Sequence, residues 1–234
     1  MEFNNILTDH TLITNEIGKS IKFYNLDFII SFLPNGSFLV GGYIRDIILG
    51  RITASLDIDI VVPSNAIGIA KRISDILKVK LILLDKEREV VRIIFKDISI
   101  DIANQTSPTI EGDLRSRDFS INSIAFSFDK NQLIDPLNGI KDIQYSLLRT
   151  HSKINILEDP LRILRCFRFV SEFSFNIDKN LLNSIEQYKE KLNLVSKERM
   201  NYEIRRVIKG ANAIEAILLI RKFNIFKLDK IYKD

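Results

Sequence analysis

The chain has a single cysteine, Cys166, among 234 residues. An internal disulfide framework is therefore excluded, and a reducing compartment is expected. Two histidines, His10 and His151, stand far from each other and from the cysteine, so no Cys/His metal cluster can be drawn. No apolar run approaches the roughly 18 residues needed to span a bilayer. The stretch MEFNNILTDH lacks a basic region followed by an apolar core. These absences predict a cytoplasmic protein with no membrane partner. Internal repeats and low-complexity tracts are missing too. Neither a G-x-x-x-x-G-K-S/T loop nor a G-x-G-x-x-G fingerprint occurs, which removes two familiar ways of holding a nucleotide.

What is present is apolar enough to fold. At 46% hydrophobic residues the chain can bury a sizeable core, either as one large domain or as a domain with an appended helical part. The net charge of +4 conceals an asymmetry: Met1 to Thr150 has 17 Lys/Arg against 19 Asp/Glu, and His151 to Asp234 has 17 against 11. A cationic half beside a mildly acidic one suits a polyanion held against a metal-binding site, although solvated helix surfaces with surplus lysine explain the charge equally well.

The apolar period changes near residue 150. Before it, short β-branched runs (FLVG, DIDIVV, KLILL, VVRIIF, ISIDIA) alternate with helical patterns around 20–33, 42–49 and 64–78. Lys96-Asp97 separates two of the runs by a tight turn, which makes them antiparallel neighbours and argues against an all-parallel sheet. After residue 150, helical spacing dominates over 159–173, 178–191, 197–209 and 211–224, punctuated by Ser196 and Gly210. The expected fold is α+β: a small mixed sheet in a head domain, 1–150, followed by an all-helical neck domain, 151–234.

In SLDIDIVV, Ile58, Ile60 and Val62 share one strand face, and Asp57 and Asp59 share the other. Their Cα atoms are roughly 6.5 to 7 Å apart. Two carboxylates at that spacing repel unless cations lie between them, and hard oxygen ligands on a rigid strand suit Mg²⁺. Two ions about 4 Å apart can lower the pKa of an attacking hydroxyl and stabilise a leaving pyrophosphate. Taken alone, the pair reads more readily as a solvent-facing strand with two acids. Upstream, Gly41-Gly42 follows a strand pattern and opens a helical one, which lets backbone N–H groups approach a phosphate closely. Arg45 falls in the first helical turn, within reach of the same triphosphate. A glycine pair by itself is also an ordinary tight turn.

LVGGYIRD followed by DIDIVV resembles the nucleotidyltransferase core of the polymerase-β superfamily, specifically class II tRNA CCA-adding enzymes and the related bacterial poly(A) polymerases. The resemblance continues through RSRDFSINSIAF (115–126), LIDPLNGIKDI (133–143), EDPLRILRCFRF (158–169) and SKERMNYEI (196–204), in the family's order. It implies that Asp57 and Asp59 are metal-binding catalytic carboxylates, and that Gly41, Gly42, Arg45, Arg117 and Asn122 belong to the nucleotide site. Asp101 in ISIDIA has two readings, a third carboxylate beside the pair from a neighbouring strand, as in the wider superfamily, and an ordinary strand-end acid; the second is preferred and Asp101 is left out of the site.

The helix pattern after residue 158 carries Asp159, Arg162, Arg165 and Arg168 at every third position, with Leu161, Leu164 and Phe167 on the intervening face. Cytosine and adenine present an amine donor beside a ring-nitrogen acceptor, and one carboxylate with one guanidinium can select them over uracil and guanine at roughly 1 to 3 kcal/mol per good bidentate contact. By resemblance Asp159 and Arg162 have this role, and Arg165 and Arg168 are further nucleotide contacts. Asp159 directly before Pro160 also reads as a helix cap. In SKERMNYEI, Ser196 reads as a cap and Arg199 with Glu203 as an i, i+4 pair of purely structural value.

Three departures qualify the resemblance. The family's paired arginines before Asp-Phe are here Ser116-Arg117, with Arg115 a partial substitute. The stretch ANQTSPTIEGDLRS is short for the family's flexible loop, which in the family accompanies addition of two cytidines without the adenosine. Family members continue beyond FNIFKL into further tRNA-holding helices, which implies a naturally short member, a homodimer or a partner chain. The expectation is a Mg²⁺-dependent transferase adding CMP from CTP, with ATP as an open alternative, to the 3′ end of tRNA. Its competitors are a poly(A) polymerase, a transferase acting on a small hydroxylated molecule, and a non-catalytic RNA-binding remnant.

Overall fold

The computed structural model describes residues 6–51 and 56–226. Residues 1–5 of MEFNNILTDH, Ser55 before the paired aspartates and the end of FNIFKL lie outside the described residues. The chain divides into two compact units, Met1–Gln144 and Tyr145–Asp234, a few residues before the change of apolar period.

In the first unit, α1 (His10–Phe23) forms because Ile13, Ile17 and Ile21 recur every fourth residue and are buried. The Asp9 carboxylate accepts the Leu12 N–H at 3.0 Å and closes its first turn. Asn25 then adopts a left-handed backbone at φ 56°, and α2 (Asp27–Ile30) is a single further turn. The helix expected over 20–33 is thus corrected: the regular segment begins at His10 and breaks at Asn25, a residue type that tolerates positive φ. β1 (Phe38–Val40) runs through Gly41 into α3 (Gly42–Ile48), and β2 (Leu56–Val62) is followed by α4 (Ala66–Leu77). Next come β3 (Lys80–Asp85), β4 (Val90–Phe95), β5 (Ile98–Asn104), α5 (Ile110–Ser116) and a 3-10 turn at Ser120–Asn122. β6 (Ala125–Ser127), β7 (Gln132–Ile134) and α6 (Gly139–Gln144) follow.

These strands form one seven-stranded sheet in the order β3, β4, β5, β2, β1, β6, β7. β2 and β5 are parallel and the other neighbours antiparallel, so the sheet is mixed, as the sequence implied. Lys96, at φ 55°, turns β4 directly into β5, with Phe95 opposite Ile98. Register then sorts the faces. Ile93, Ile100 and Ile58 align across β4, β5 and β2 and are buried, and α4 packs on β3, β4 and β5. One residue along each strand, Arg92, Asp101 and Asp59 form the parallel row on the opposite face.

The second unit is built on α8 (Arg162–Phe173), preceded by β8 (Leu147–Leu148) and α7 (Lys153–Glu158) and followed by β9 (Asn176–Ile177), α9 (Lys179–Tyr188), a 3-10 segment at Lys189–Leu194, α10 (Lys197–Lys209) and α11 (Ala213–Lys222). It is not all-helical: β8 and β9 pair in parallel, tying the chain before α7 to the chain after α8. α8 is the core element, with Ile163, Leu164, Phe167, Phe169, Val170 and Phe173 buried, and it packs against α10 and α11. Cys166 is buried among them and in no disulfide. Ser196 caps α10 by accepting the Arg199 N–H at 3.4 Å. Gly210 closes α10 against Ser171: a Cβ there would stand 2.0 Å from Ser171 Oγ and 2.7 Å from its backbone, so only glycine allows this approach. Among the described residues, no helix is long and apolar enough to cross a membrane.

Candidate active site

Alternation along β2 puts Asp57 and Asp59 on one face while Ile58, Ile60 and Val62 enter the core. Asp57 is exposed and Asp59 half-buried. Burial pushes the Asp59 carboxyl up to about 6; the Arg117 guanidinium opposes that rise, Asp101 and Asp57 add to it, and Arg92 opposes it. A carboxylate in that state gains from a nearby cation, because the cation relieves both the lost hydration and the repulsion by its neighbours.

Gly41 lies against this carboxylate with φ 78° and ψ −135°, a conformation costly for a residue with a Cβ. The space its missing Cβ leaves is bounded by Asp59 Oδ2 at 3.2 Å, Arg117 Nη1 at 3.4 Å and the Asn122 carbonyl oxygen at 3.9 Å. Strand β2, the turn after β1, the end of α5 and the 3-10 turn therefore converge on one glycine. α3 has only seven residues, so the close approach of backbone matters more here than a helix dipole.

The two arginines of the site are held differently. Arg117 donates from Nε and Nη2 to Asp113 Oδ2 at 3.2 and 3.1 Å, while its Nη1 side is the one nearest Gly41. Arg45 is 8% exposed. It donates to both Asp46 oxygens at 2.9 and 3.0 Å and, from Nη1, to Asn122 Oδ1 at 2.6 Å. The Asn122 amide in turn donates to Asp118 Oδ1 at 3.0 Å. Arg45, expected as a triphosphate contact, is thus a buried side chain that braces Asn122. Gly42 sits over the same guanidinium, its missing Cβ 3.4 Å from Arg45 Nη2. Arg115 is exposed at the end of α5.

Asp101, set aside on sequence grounds, stands directly opposite Asp59 on β5. Both its oxygens are bound by Arg92, at 2.6 and 2.8 Å. That hydrogen bonding raises the Arg92 guanidinium above its ordinary value. Among the described residues, no group of three or more His, Cys, Asp or Glu side chains is arranged to hold a metal ion. Asp57 and Asp59 fit a hard divalent cation as a pair whose remaining ligands come from substrate oxygens and water.

In the helical unit, Asp159 has the capping role that its place before Pro160 implied, and it is also ion-paired. Its Oδ1 accepts the Leu161 N–H at 3.2 Å, and its Oδ2 is 2.9 Å from Arg199 Nη2. Arg162 donates to the Asn155 carbonyl at 2.9 Å and is partly exposed, as is Arg165. Arg168, expected as a further nucleotide contact, is 5% exposed, and its Nη1 lies 3.1 and 3.2 Å from the two oxygens of Glu203, itself 3% exposed. Burial pulls the Arg168 guanidinium down to about 10, with Arg165 pushing the same way and Glu203 resisting. The i, i+4 pair of Arg199 with Glu203 is corrected as well, since each residue reaches a partner on the α8 side instead. Sequence reading missed Asp113, whose place four residues before Arg117 was a usable signal. It also missed Arg92, for which a local pattern gives none.

Comparison with known proteins gives a family for both units. Residues 37–149 match the poly A polymerase head domain, and residues 174–228 match the probable RNA and SrmB-binding site of polymerase A. A CC-adding tRNA nucleotidyltransferase of Synechocystis sp. is 36% identical over 77% of this chain and 44% of its own length. An A-adding tRNA nucleotidyltransferase of Deinococcus radiodurans is 31% identical over 83% of this chain and 45% of its own. Among solved structures, a Thermotoga maritima CCA-adding enzyme complexed with tRNA superposes with a TM-score of 0.73 at 33% identity, covering 81% of this chain and 47% of that one. The chain spans less than half the length of these relatives.

Proposed function

The chain belongs to the poly(A) polymerase head-domain family that includes the class II tRNA CCA-adding enzymes, and from that membership we propose that it transfers CMP from CTP to the 3′ end of tRNA, releasing pyrophosphate. The observation that carries the reading is the convergence of Asp59, Arg117 and the Asn122 backbone on the space left open at Gly41. An anionic acid site and a cationic, glycine-lined site then adjoin within one unit, as a metal-bound triphosphate requires.

Asp57 and Asp59 hold the divalent cation, for which Mg²⁺ suits two carboxylate donors on a strand. Bound there, the metal supplies a lowered pKa for the attacking hydroxyl and charge compensation for the leaving pyrophosphate. Gly41 and Gly42 admit phosphate oxygens close to the backbone. Arg117, aimed by Asp113, donates to the triphosphate, and Arg45 keeps Asn122 and the 3-10 turn in place. In the helical unit, Asp159 accepts from the base amine, Arg162 donates to the ring acceptors, and Arg165 adds a nucleotide contact. Lys197, Arg205, Arg206 and Lys209 on α10 hold RNA phosphates, a contact that weakens with salt.

Addition of two cytidines is favoured over the complete CCA by the short segment before Arg117 and by the CC-adding names of several relatives. The test supplies each nucleoside triphosphate singly to tRNA ending at its discriminator base. Growth by two residues is expected with CTP alone and also with CTP and ATP together, where a complete CCA-adding enzyme grows the tRNA by three. Long tracts with ATP identify a poly(A) polymerase, and no extension with any triphosphate, either on this tRNA or on one already ending in CC, identifies a binding remnant.

A further inference from the structure

Arg92 belongs to none of the motifs that carry the family resemblance, yet the fold brings it into the metal-site row. β4, β5 and β2 are adjacent, and their register aligns Arg92 with Asp101 and Asp101 with Asp59. Residues in one row share a sheet face, and neighbouring strands lie about 4.8 Å apart. Asp101 therefore stands beside Asp59 at the position from which a third carboxylate would join the pair. Both its oxygens are taken by Arg92, Nε at 2.6 Å and Nη2 at 2.8 Å, the two-pronged geometry of a guanidinium on a carboxylate.

We propose that Arg92 is a positioning residue of the metal site: it closes Asp101 into an ion pair, so that the carboxylates left for a divalent cation are Asp57 and Asp59 alone. The proposal rests on reading those two as the cation-binding pair. Its consequence is a charge balance. The Arg92–Asp101 pair contributes no net charge to the row, whereas loss of either member leaves one unit charge beside the cation.

Titration of the full chain with Mn²⁺ and no nucleotide, read by electron paramagnetic resonance or calorimetry, tests this without any enzymatic readout. Arg92→Gln frees Asp101 and is expected to bind Mn²⁺ about tenfold more tightly or better, the order set by one unit charge a few ångströms from a divalent ion. Asp101→Asn leaves Arg92 unbalanced and weakens binding by a similar factor. The double variant Arg92→Gln/Asp101→Asn returns to the wild-type affinity, and Arg92→Lys stays near it throughout. Circular dichroism confirms that each variant is folded, and the conservative lysine separates charge from packing. Equal affinity in Arg92→Gln and the wild type overturns the proposal. So does a double variant much weaker than the wild type, because Asp101 is then itself a ligand. Asp59→Asn sorts the two failures: if it leaves Mn²⁺ binding intact, the reading of the Asp57/Asp59 pair has failed instead.

Discussion

Asp159 Oδ2 lies 2.9 Å from Arg199 Nη2, across 40 residues of sequence, while Oδ1 of the same carboxylate accepts the Leu161 N–H at 3.2 Å. One side chain thus closes the turn into α8 and joins it to α10. Asparagine keeps the oxygen that caps and discards the charge, and alanine discards both. Asp159→Ala is expected to cost about 1 to 2 kcal/mol of stability, and Asp159→Asn less than about 1 kcal/mol, the scale of a partly exposed ion pair. If the carboxylate also accepts from the base amine, the asparagine variant retains the fold yet discriminates CTP from UTP less well. Single-nucleotide extension with each triphosphate, set beside thermal melts, resolves the two contributions.

Arg168 and Glu203 form the most deeply buried ion pair described above, linking the core helix α8 to α10. Removing Glu203 leaves the buried Arg168 with only the longer contact to Glu172, 3.8 Å from its Nε. Glu203→Ala is expected to destabilise the helical unit by about 3 to 5 kcal/mol, whereas replacing both residues together by Met and Leu costs far less. The comparison is made from denaturant midpoints followed by circular dichroism. Equal losses in the single and the double variant would show that the pair is not the source of the effect.

The legible parts of the fold were those decided by neighbours in sequence. Period-two alternation put Asp57 and Asp59 on one face, and the two residues Lys96-Asp97 fixed the β4–β5 hairpin. Capping chemistry at Ser196 located the start of α10. The illegible parts were decided at long range. β2 and β5 are parallel neighbours separated by α4, β3 and β4, so no local pattern revealed that Asp101 would stand opposite Asp59 or that Arg92 would bind it. β6 and β7 are three residues each, too short to show a period. The Arg199–Glu203 spacing was correct for a helical pair, but each side chain found a tertiary partner across α8, worth more than an exposed i, i+4 contact of about 0.5 kcal/mol.

Gly41→Ala tests the convergence at the candidate site. The new methyl group would require φ near 78° and would enter the space 3.2 Å from Asp59 Oδ2 and 3.4 Å from Arg117 Nη1. A strained backbone residue costs about 1 to 3 kcal/mol. The expected outcome is a modest drop in melting temperature with a much larger loss of triphosphate affinity, measured by equilibrium binding of CTP. A variant with wild-type CTP affinity would remove Gly41 from the nucleotide site.

Asp59 gives the metal-free protein a pH dependence of definite sign. Its folded pKa of about 6 exceeds the ordinary value of 3.8, so the folded state holds the proton more tightly than the unfolded state. This group's contribution is therefore most favourable below pH 3.8 and is lost as pH rises towards 6. A difference of about two units bounds the loss at about 3 kcal/mol. Asp59→Asn carries no such proton, so its melting temperature without metal should lose that downward slope between pH 4 and 6 and exceed the wild type's at pH 7, while transfer activity falls by several orders of magnitude. Saturating Mg²⁺ should restore stability to the wild type at pH 7 and leave the variant nearly unmoved, because the cation replaces the proton as partner of the buried charge. Melts of both proteins across that range, with and without metal, check each arm. A wild type whose slope matches that of Asp59→Asn would mean that the carboxylate stays ionised without a cation.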